Sequence, residues 1–272
     1  MLTLRVVTAF EKTMPQNEEM AFEQELAVAR EASEMAAEIA RRLQPGIVPE
    51  VKLDASPVTE ADRQCERAIV ERIRREFPDD GVLAEEGSAA ESRNGRKWII
   101  DPIDGTRDFV RGTPLWANLI ALEQDGEVVL GVVNLPCLGW FSHAIKGAGA
   151  YRNGKRMHVS ERTRVEESIF CANAFNHLAS MPFHDRLLDW MARFWAIRGL
   201  GGAADAMMVA GGEVEAWIEP VAKPWDFAPL KIIGEEAGAV FFNLAGGSDI
   251  YSGSGGLCVP ALETEVRKLV GW

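Results

Sequence analysis

The sequence is poor in the residues that build thiol and imidazole chemistry. Its four cysteines (Cys65, Cys137, Cys171 and Cys258) are scattered along 272 residues with no C-x-x-C pair. That spacing excludes a disulfide-rich scaffold and a cysteine zinc site, and reduced thiols in a cytoplasmic protein are expected. The four histidines (His143, His158, His177 and His184) form neither H-x-x-x-H nor H-E-x-x-H, so a histidine-based metal site has no support. No apolar run approaches the roughly 18 residues of a membrane span, and the N-terminus shows no secretory h-region. Cationic surplus is lacking too: 29 Lys and Arg stand against 41 Asp and Glu, a net charge of −12. Nucleic acid and anionic membranes are poor partners for such a chain. The same charge should repel a small phosphorylated ligand unless something local inverts the field.

What is present suits a globular protein. With 47% hydrophobic and 26% charged residues, the chain can bury a sizeable core in one large domain or two coupled halves. Residues 1–17 read as an N-terminal extension without periodicity, and Met14 or Met20 are alternative starts. The expected halves are 18–160 and 161–272, packed as one compact unit. Phe22, Leu26, Ala29, Ser33, Ala36, Ala40 and Leu43 mark one face of a long helix beginning at Glu18 after an Asn17 cap and stopped by Pro45-Gly46. Thr59-x-x-Asp62 has capping-box spacing and opens a second helix with the stripe Cys65, Ile69, Ile73, Phe77.

Short apolar runs then predict strands: Val82 to Ala84, Lys97 to Ile100, Leu115 to Leu122, Val128 to Val133, Trp140 to Ile145 and Met157 to Val159. Asp125-Gly126 and Asn153-Gly154 are hairpin turns. The second half alternates, with a strand near Ile169, a helix carrying Phe183, Leu187, Trp190, Met191 and Phe194, and a small-residue helix from Gly202 to Ala210. A strand at Val214 to Ile218, a helix from Asp226 to Ala237, a strand at Val240 to Leu244 and a helix after Pro260 complete it. Layered α/β or α+β packing is implied.

The richest segment is Trp98-Ile99-Ile100-Asp101-Pro102-Ile103-Asp104-Gly105-Thr106. A buried strand ends in two carboxylates three residues apart, and Gly105-Thr106 open a short helix whose free N–H groups suit a phosphate. Oxygen-only ligands favour a hard cation, Mg²⁺ before Mn²⁺. An isolated D-x-x-D equally fits an Asx-turn that caps a helix. Glu85-Glu86 follows another strand, although Glu18-Glu19, Glu166-Glu167 and Glu235-Glu236 show that adjacent glutamates are common here. Asp226, in Trp225-Asp226-Phe227-Ala228, also suits a plain helix cap. Together these clusters supply the parts for metal-assisted phosphoryl hydrolysis. Arg107, Arg111 and Lys223 read as solvated surface charge, and Trp116, Trp140, Trp190, Trp195 and Trp217 as core or dimer contacts.

In these motifs the chain resembles the inositol monophosphatase superfamily, and within it the histidinol-phosphatase branch. The resemblance rests on Asp101-Pro102-Ile103-Asp104-Gly105-Thr106, Trp225-Asp226-Phe227-Ala228 with Glu236-Ala237-Gly238, Glu85-Glu86, and Lys52 with Thr59-Glu60-Ala61-Asp62. The stretch from Thr106 to Trp116 carries the likeness to the branch. Ala84 and Ala239 stand where the family usually has glycine, and Gly201-Gly202-Ala203-Ala204 is closer to the inositol phosphatases.

The resemblance implies an αβαβα layered sandwich, commonly dimeric, and a Mg²⁺-dependent phosphomonoesterase using two or three ions. Glu85, Asp101 and the Ile103 carbonyl would hold one metal, Asp101, Asp104 and Asp226 a second, and Glu85 with Asp62 through water a third. Thr106 and Asp62 would orient the attacking water and accept its proton. Gly105 and Thr106 N–H groups would bind phosphate, and Glu219 would meet substrate hydroxyl or amine groups. The expected substrate is L-histidinol phosphate, an intermediate of histidine biosynthesis, with inositol 1-phosphate or a broader sugar and polyol range as the alternative. A non-catalytic phosphate-binding homologue is the reading of another class.

Overall fold

The structure is a computed structural model that describes residues 22–53 and 55–271. The extension, the Asn17 cap and the expected first turn at Glu18 lie outside the described residues. The chain runs α1 (Glu23–Leu43), the ribbon β1 (Glu50–Val51) and β2 (Pro57–Val58), α2 (Glu60–Glu76), β3 (Gly81–Ala84), β4 (Ala89–Ala90), β5 (Arg96–Asp104) and α3 (Thr106–Arg111). It continues with β6 (Ala117–Gln124), β7 (Glu127–Leu135), β8 (Trp140–Ile145), β9 (Gly149–Arg152) and β10 (Lys155–Arg156). The rest comprises β11 (Ile169–Ala172), α4 (Phe175–Leu178), α5 (His184–Met191), β12 (Ala196–Arg198), α6 (Gly202–Ala210), β13 (Ala216–Glu219), α7 (Pro224–Glu236), β14 (Val240–Phe242), β15 (Gly255–Cys258) and α8 (Glu263–Val270).

The strands form an eight-stranded sheet, β10-β9-β8-β7-β6-β5-β3-β4, and a five-stranded sheet, β12-β11-β13-β15-β14. Helices α1 and α2 cover the outer face of the first sheet, α6 and α7 lie between the two sheets, and α5 and α8 cover the outer face of the second. This is the expected αβαβα sandwich. Strand alternation explains it. Ile99, Leu119, Ala121 and Val133 point into the layer shared with α6 and α7, while Ile100, Ile120, Leu122 and Val132 point toward α1 and α2. Both faces are apolar because both are covered, so these strands read as unbroken hydrophobic runs. The α1 stripe is made of small residues, and Ala29, Ala32, Ser33, Ala36 and Ala40 are fully buried against α2.

Several expected boundaries moved. Met157 to Val159 is not a strand: β10 stops at Arg156, and the chain leaves the sheet with Met157 N–H donating to Ala150 and Val159 N–H to Ala237. Helix α5 ends at Met191, so Phe194 is buried from the following turn. The strand expected at Val214 starts at Ala216 and reaches Glu219. Strand β15 was not foreseen because Ser-Gly-Ser-Gly-Gly reads as a loop, yet it pairs with both β13 and β14. Trp116, Trp190 and Trp217 are buried, whereas Trp195 is 71% exposed.

Helix α7 packs on β7 with almost no space between them. A Cβ at Gly131 would stand 2.5 Å from Ile232 Cγ2 and 2.9 Å from Pro229 Cα. Gly131→Ala is therefore expected to destabilise the protein by about 1–3 kcal/mol through overpacking. The measurement is the urea midpoint at unchanged slope; an unshifted midpoint would mean that α7 is not held this closely.

Candidate metal centre

Each acidic side chain is delivered by a specific local device. Strand β3 pairs in parallel with β5, Ala84 opposite Ile100. One further ladder bond, from Glu85 N–H to Ile100 C=O at 3.2 Å, sets Glu85 beside Asp101. In a regular strand, residues three apart point to opposite faces. Asp101 and Asp104 escape this because β5 is irregular between them: Asp101 pairs with Leu119 and Asp104 with Ala117, so three steps on β5 match two on β6. The extra residue returns both carboxylates to one side. Pro102, which has no N–H to offer, lies in the break. Two of the backbone groups freed from the ladder there find side-chain partners, with Asn118 Nδ2 donating to Pro102 C=O at 2.6 Å and Ile103 N–H to Asp101 Oδ1 at 2.9 Å.

Gly105 then turns the chain into α3 with φ of 79°, and a Cβ there would lie 3.0 Å from Leu115 C=O. Glycine fits this left-handed start without strain. From the other layer comes Asp226, the third residue of α7. It is not the N-cap itself: Lys223 is, and Asp226 Oδ2 accepts the Lys223 backbone N–H at 2.7 Å. Pro224 occupies the first turn, where a missing N–H costs nothing.

Asp62 behaves similarly on α2. Its Oδ2 accepts Thr59 N–H at 2.7 Å and Thr59 Oγ1 at 2.5 Å, completing the expected capping box. Its Oδ1 faces Thr106 Oγ1 at 3.3 Å, while the same hydroxyl lies 3.2 Å from Ile103 C=O. Thr106, with one proton, can serve only one of these acceptors at a time.

Oxygens of Asp101, Asp104 and Asp226 lie within 4.8 Å of one another. Glu85 stands close enough to Asp101 for its charge to oppose ionisation there. Lys52, on the loop between β1 and β2, bridges Glu85 Oε1 at 2.8 Å and Glu86 Oε1 at 2.6 Å. Glu219 stands at the end of β13, in electrostatic contact with Asp104 and Asp226. The structure thus gathers Asp62, Glu85, Asp101, Asp104, Thr106 and Asp226, with Glu219 on the adjoining wall. Arg107, Arg111 and Lys223 are exposed.

Sequence reasoning missed Glu66. Buried on α2, it accepts Glu86 N–H at 2.6 Å and Ser88 N–H at 2.8 Å, which fixes the turn holding Glu85. Its position one helical turn after Asp62, on the same face, was the available signal.

Crowding and burial raise these acids. Burial, then the charges of Glu85, Asp104 and Asp226, push Asp101 well above the ordinary carboxylate range. Burial carries Asp104 to about 6, against N–H groups of Ala203 and Gly105 that favour its charge. Asp226 is pushed up to about 7 by burial and by Asp104, and Glu86 to about 7 by burial despite Lys52. Asp62 is raised by burial, with Thr59 opposing.

A model of the inositol monophosphatase family matches residues 17–270. The chain belongs to the inositol monophosphatase family. It is 40% identical over 204 residues to a histidinol-phosphatase of Chlorobaculum parvum, covering 75% of this chain and 79% of that one. A histidinol-phosphatase of Mycobacterium tuberculosis is 37% identical over 210 residues, covering 75% and 81%. Among solved structures, an inositol monophosphatase (IMPase) of Thermotoga maritima superposes with a TM-score of 0.83 at 33% identity, covering 91% of this chain and 96% of that one. Enzymes of the inositol monophosphatase family are metal-dependent phosphoric monoester hydrolases, and the chain places an acidic cluster able to hold a metal at its centre.

The donor set fits a hard divalent cation. Every side-chain ligand atom brought together is a carboxylate oxygen, and among the described residues no His or Cys joins the cluster. The raised acids give the metal-free protein a definite pH response. A folded pKa above the unfolded value of about 3.9 stabilises the fold below that value, and the benefit is lost as pH rises through the folded pKa. The melting temperature without metal is therefore expected to fall from pH 5 to pH 8, through the values near 6 and 7 of Asp104 and Asp226. Mg²⁺ should reverse much of that fall, and Asp226→Asn should flatten it while losing the Mg²⁺ response. A metal-free melting temperature that rises over this interval would contradict the cluster. For turnover, Asp101→Asn or Asp226→Asn should cost more than the roughly 10–100-fold typical of residues that merely orient metal ligands, with circular dichroism unchanged.

Proposed function

We propose that the protein is a Mg²⁺-dependent phosphomonoesterase that hydrolyses L-histidinol phosphate, working as a homodimer on a small soluble metabolite. The observation that carries the reading is the convergence of Asp101, Asp104 and Asp226 within 4.8 Å, extended by Glu85 and Asp62. Glu85, Asp101 and the Ile103 carbonyl would hold one ion, Asp101, Asp104 and Asp226 a second, and Glu85 with Asp62 through water a third. Mn²⁺ suits the same oxygen donors less well. When bound, such ions neutralise the phosphate, acidify water and stabilise the departing alkoxide.

The chain's own groups supply the remaining steps. Gly105 and Thr106 N–H groups bind phosphate oxygens at the start of α3. The Thr106 hydroxyl accepts a hydrogen bond from the attacking water as it turns its own proton to Asp62 Oδ1, 3.3 Å away. Asp62 collects the water's proton through this contact, and its capping-box bonds keep the carboxylate pointed there. The water oxygen bonds to phosphorus, the ester P–O bond breaks, and the alcohol leaves with a proton from solvent.

Glu219 addresses the alcohol portion. Burial, then the Asp104 and Asp226 charges, raise it to about 8. Cations held by those aspartates would remove the repulsion, and a substrate ammonium beside Glu219 would offset its burial, so the two together favour the charged carboxylate as an ammonium partner. The names of the relatives support histidinol phosphate. Gly201 and Gly202 support the second reading, inositol 1-phosphate, because they leave Glu219 without a neighbouring acid from that loop. A non-catalytic role is disfavoured by the complete acid set. Trp195, exposed directly before the edge strand β12, offers an apolar contact for a second copy.

The test is phosphate release with Mg²⁺ from histidinol phosphate, inositol 1-phosphate, fructose 1,6-bisphosphate and 3′-phosphoadenosine 5′-phosphate. Histidinol phosphate is expected to show the highest kcat/KM. Comparable values on all four would leave a generalist phosphatase, and no release from any would sink the catalytic reading.

A further inference from the structure

The C-terminal edge of the parallel strands β12, β11 and β13 holds a polar group that the chemistry above does not use. The β11–β13 register pairs Ala172 with Ile218, so the next residues, Asn173 and Glu219, stand side by side. The β11–β12 register pairs Cys171 with Arg198, which brings the chain from Gly199 onward past the same edge. There Asp205, fully buried near the start of α6, clamps that chain: Leu200 N–H lies 3.2 and 3.1 Å from its two oxygens, and Gly201 N–H lies 3.4 Å from Oδ2. A Cβ at Gly199 would sit 3.5 Å from Asn173 Oδ1, and one at Gly202 would sit 3.7 Å from Glu219 Oε2. Asn173 thus stands beside Glu219 at the strand ends and within electrostatic reach of Asp205, and Gly202 leaves room for a Cβ in front of Glu219.

The Asn173 amide favours the charge of both carboxylates. Its Nδ2 is nevertheless buried and completes no hydrogen bond of ordinary geometry. A buried amide in that position is costly unless a partner closes on it. Polar contacts at active sites are commonly long before substrate binds and shorten in the complex. Being neutral, the amide can orient Glu219 without cancelling its charge, which a lysine in its place would do.

We propose that Asn173 is a positioning residue for substrate selection, anchored on Asp205 and holding Glu219 toward the space beside Gly202, where the leaving group's ammonium would sit. This rests on the reading of Glu219 given under the proposed function. Substrates with an amine close to the phosphate ester should gain from it, and esters without one should not.

The experiment compares L-histidinol phosphate with glycerol 2-phosphate at saturating Mg²⁺, in wild type, Asn173→Ala, the isosteric Asn173→Asp, Glu219→Gln and the double variant Asn173→Ala/Glu219→Gln. Both Asn173 variants should lower the kcat/KM ratio of histidinol phosphate to glycerol 2-phosphate about tenfold, the scale of a hydrogen bond to a charged group. The loss should fall in KM rather than kcat. The double variant should lose no more selectivity than Glu219→Gln alone, since Asn173 acts through Glu219. Equal losses on both esters, or independent multiplication in the double variant, would overturn the proposal. A wild type with no preference for the amine-bearing ester would instead sink the substrate reading. The coupling between Asn173 and Glu219 would then be judged by KM on whichever ester turns over faster, and additive effects there would refute it separately.

Discussion

Mutual repulsion among buried carboxylates is the constraint around which this molecule is built. Asp101, Asp104 and Asp226 share a small volume, Asp101 and Asp62 buried and the other two half-buried, and the charges of Glu85 and the neighbouring aspartates oppose ionisation there. Such a cluster persists only if the framework holds it more firmly than repulsion opens it. The framework does so with main-chain donors. Thr59 N–H bonds Asp62, Ile103 N–H bonds Asp101, and Lys223 N–H bonds Asp226. These dipoles favour the ionised form without neutralising it. Lys52 is the exception, a full positive charge placed on Glu85 and Glu86. The acids therefore stay fixed while their negative potential remains available to a cation.

The charge of −12 takes on a different meaning in this light. As a whole-chain quantity it bears on large anionic partners. At the centre it is local arrangement that matters, because divalent ions held by these oxygens would set the sign of the field that a phosphate meets. A protein repulsive to phosphate at long range can still present an electrophilic site at short range.

Much of the centre was legible because the acids sit at the ends of strongly patterned elements. The apolar runs before Glu85 and Asp101 placed two of its pieces before any coordinates, the helix start at Asp226 a third, and the family resemblance added Asp62. The bulge that turns Asp101 and Asp104 to one side leaves only Pro102 as a trace in the sequence, and its geometry depends on pairing with a distant strand. Tertiary relations of this kind also concealed Glu66, whose task is to hold another residue's backbone, and Asn173, whose place follows from parallel register. Strand β15 was hidden for a further reason: its glycines lower local strand propensity while allowing neighbouring chains to come close, and packing outweighs propensity there.

The capping role of Asp62 and the N3 role of Asp226 have an evolutionary consequence. A helix start alone accepts several short polar residues with little loss. Here the atoms that begin α2 and α7 face the same centre, so substitutions neutral for helix formation are not neutral for the site. A side chain at either start would have to meet both demands, and a relative that abandoned metal chemistry would be free of the second.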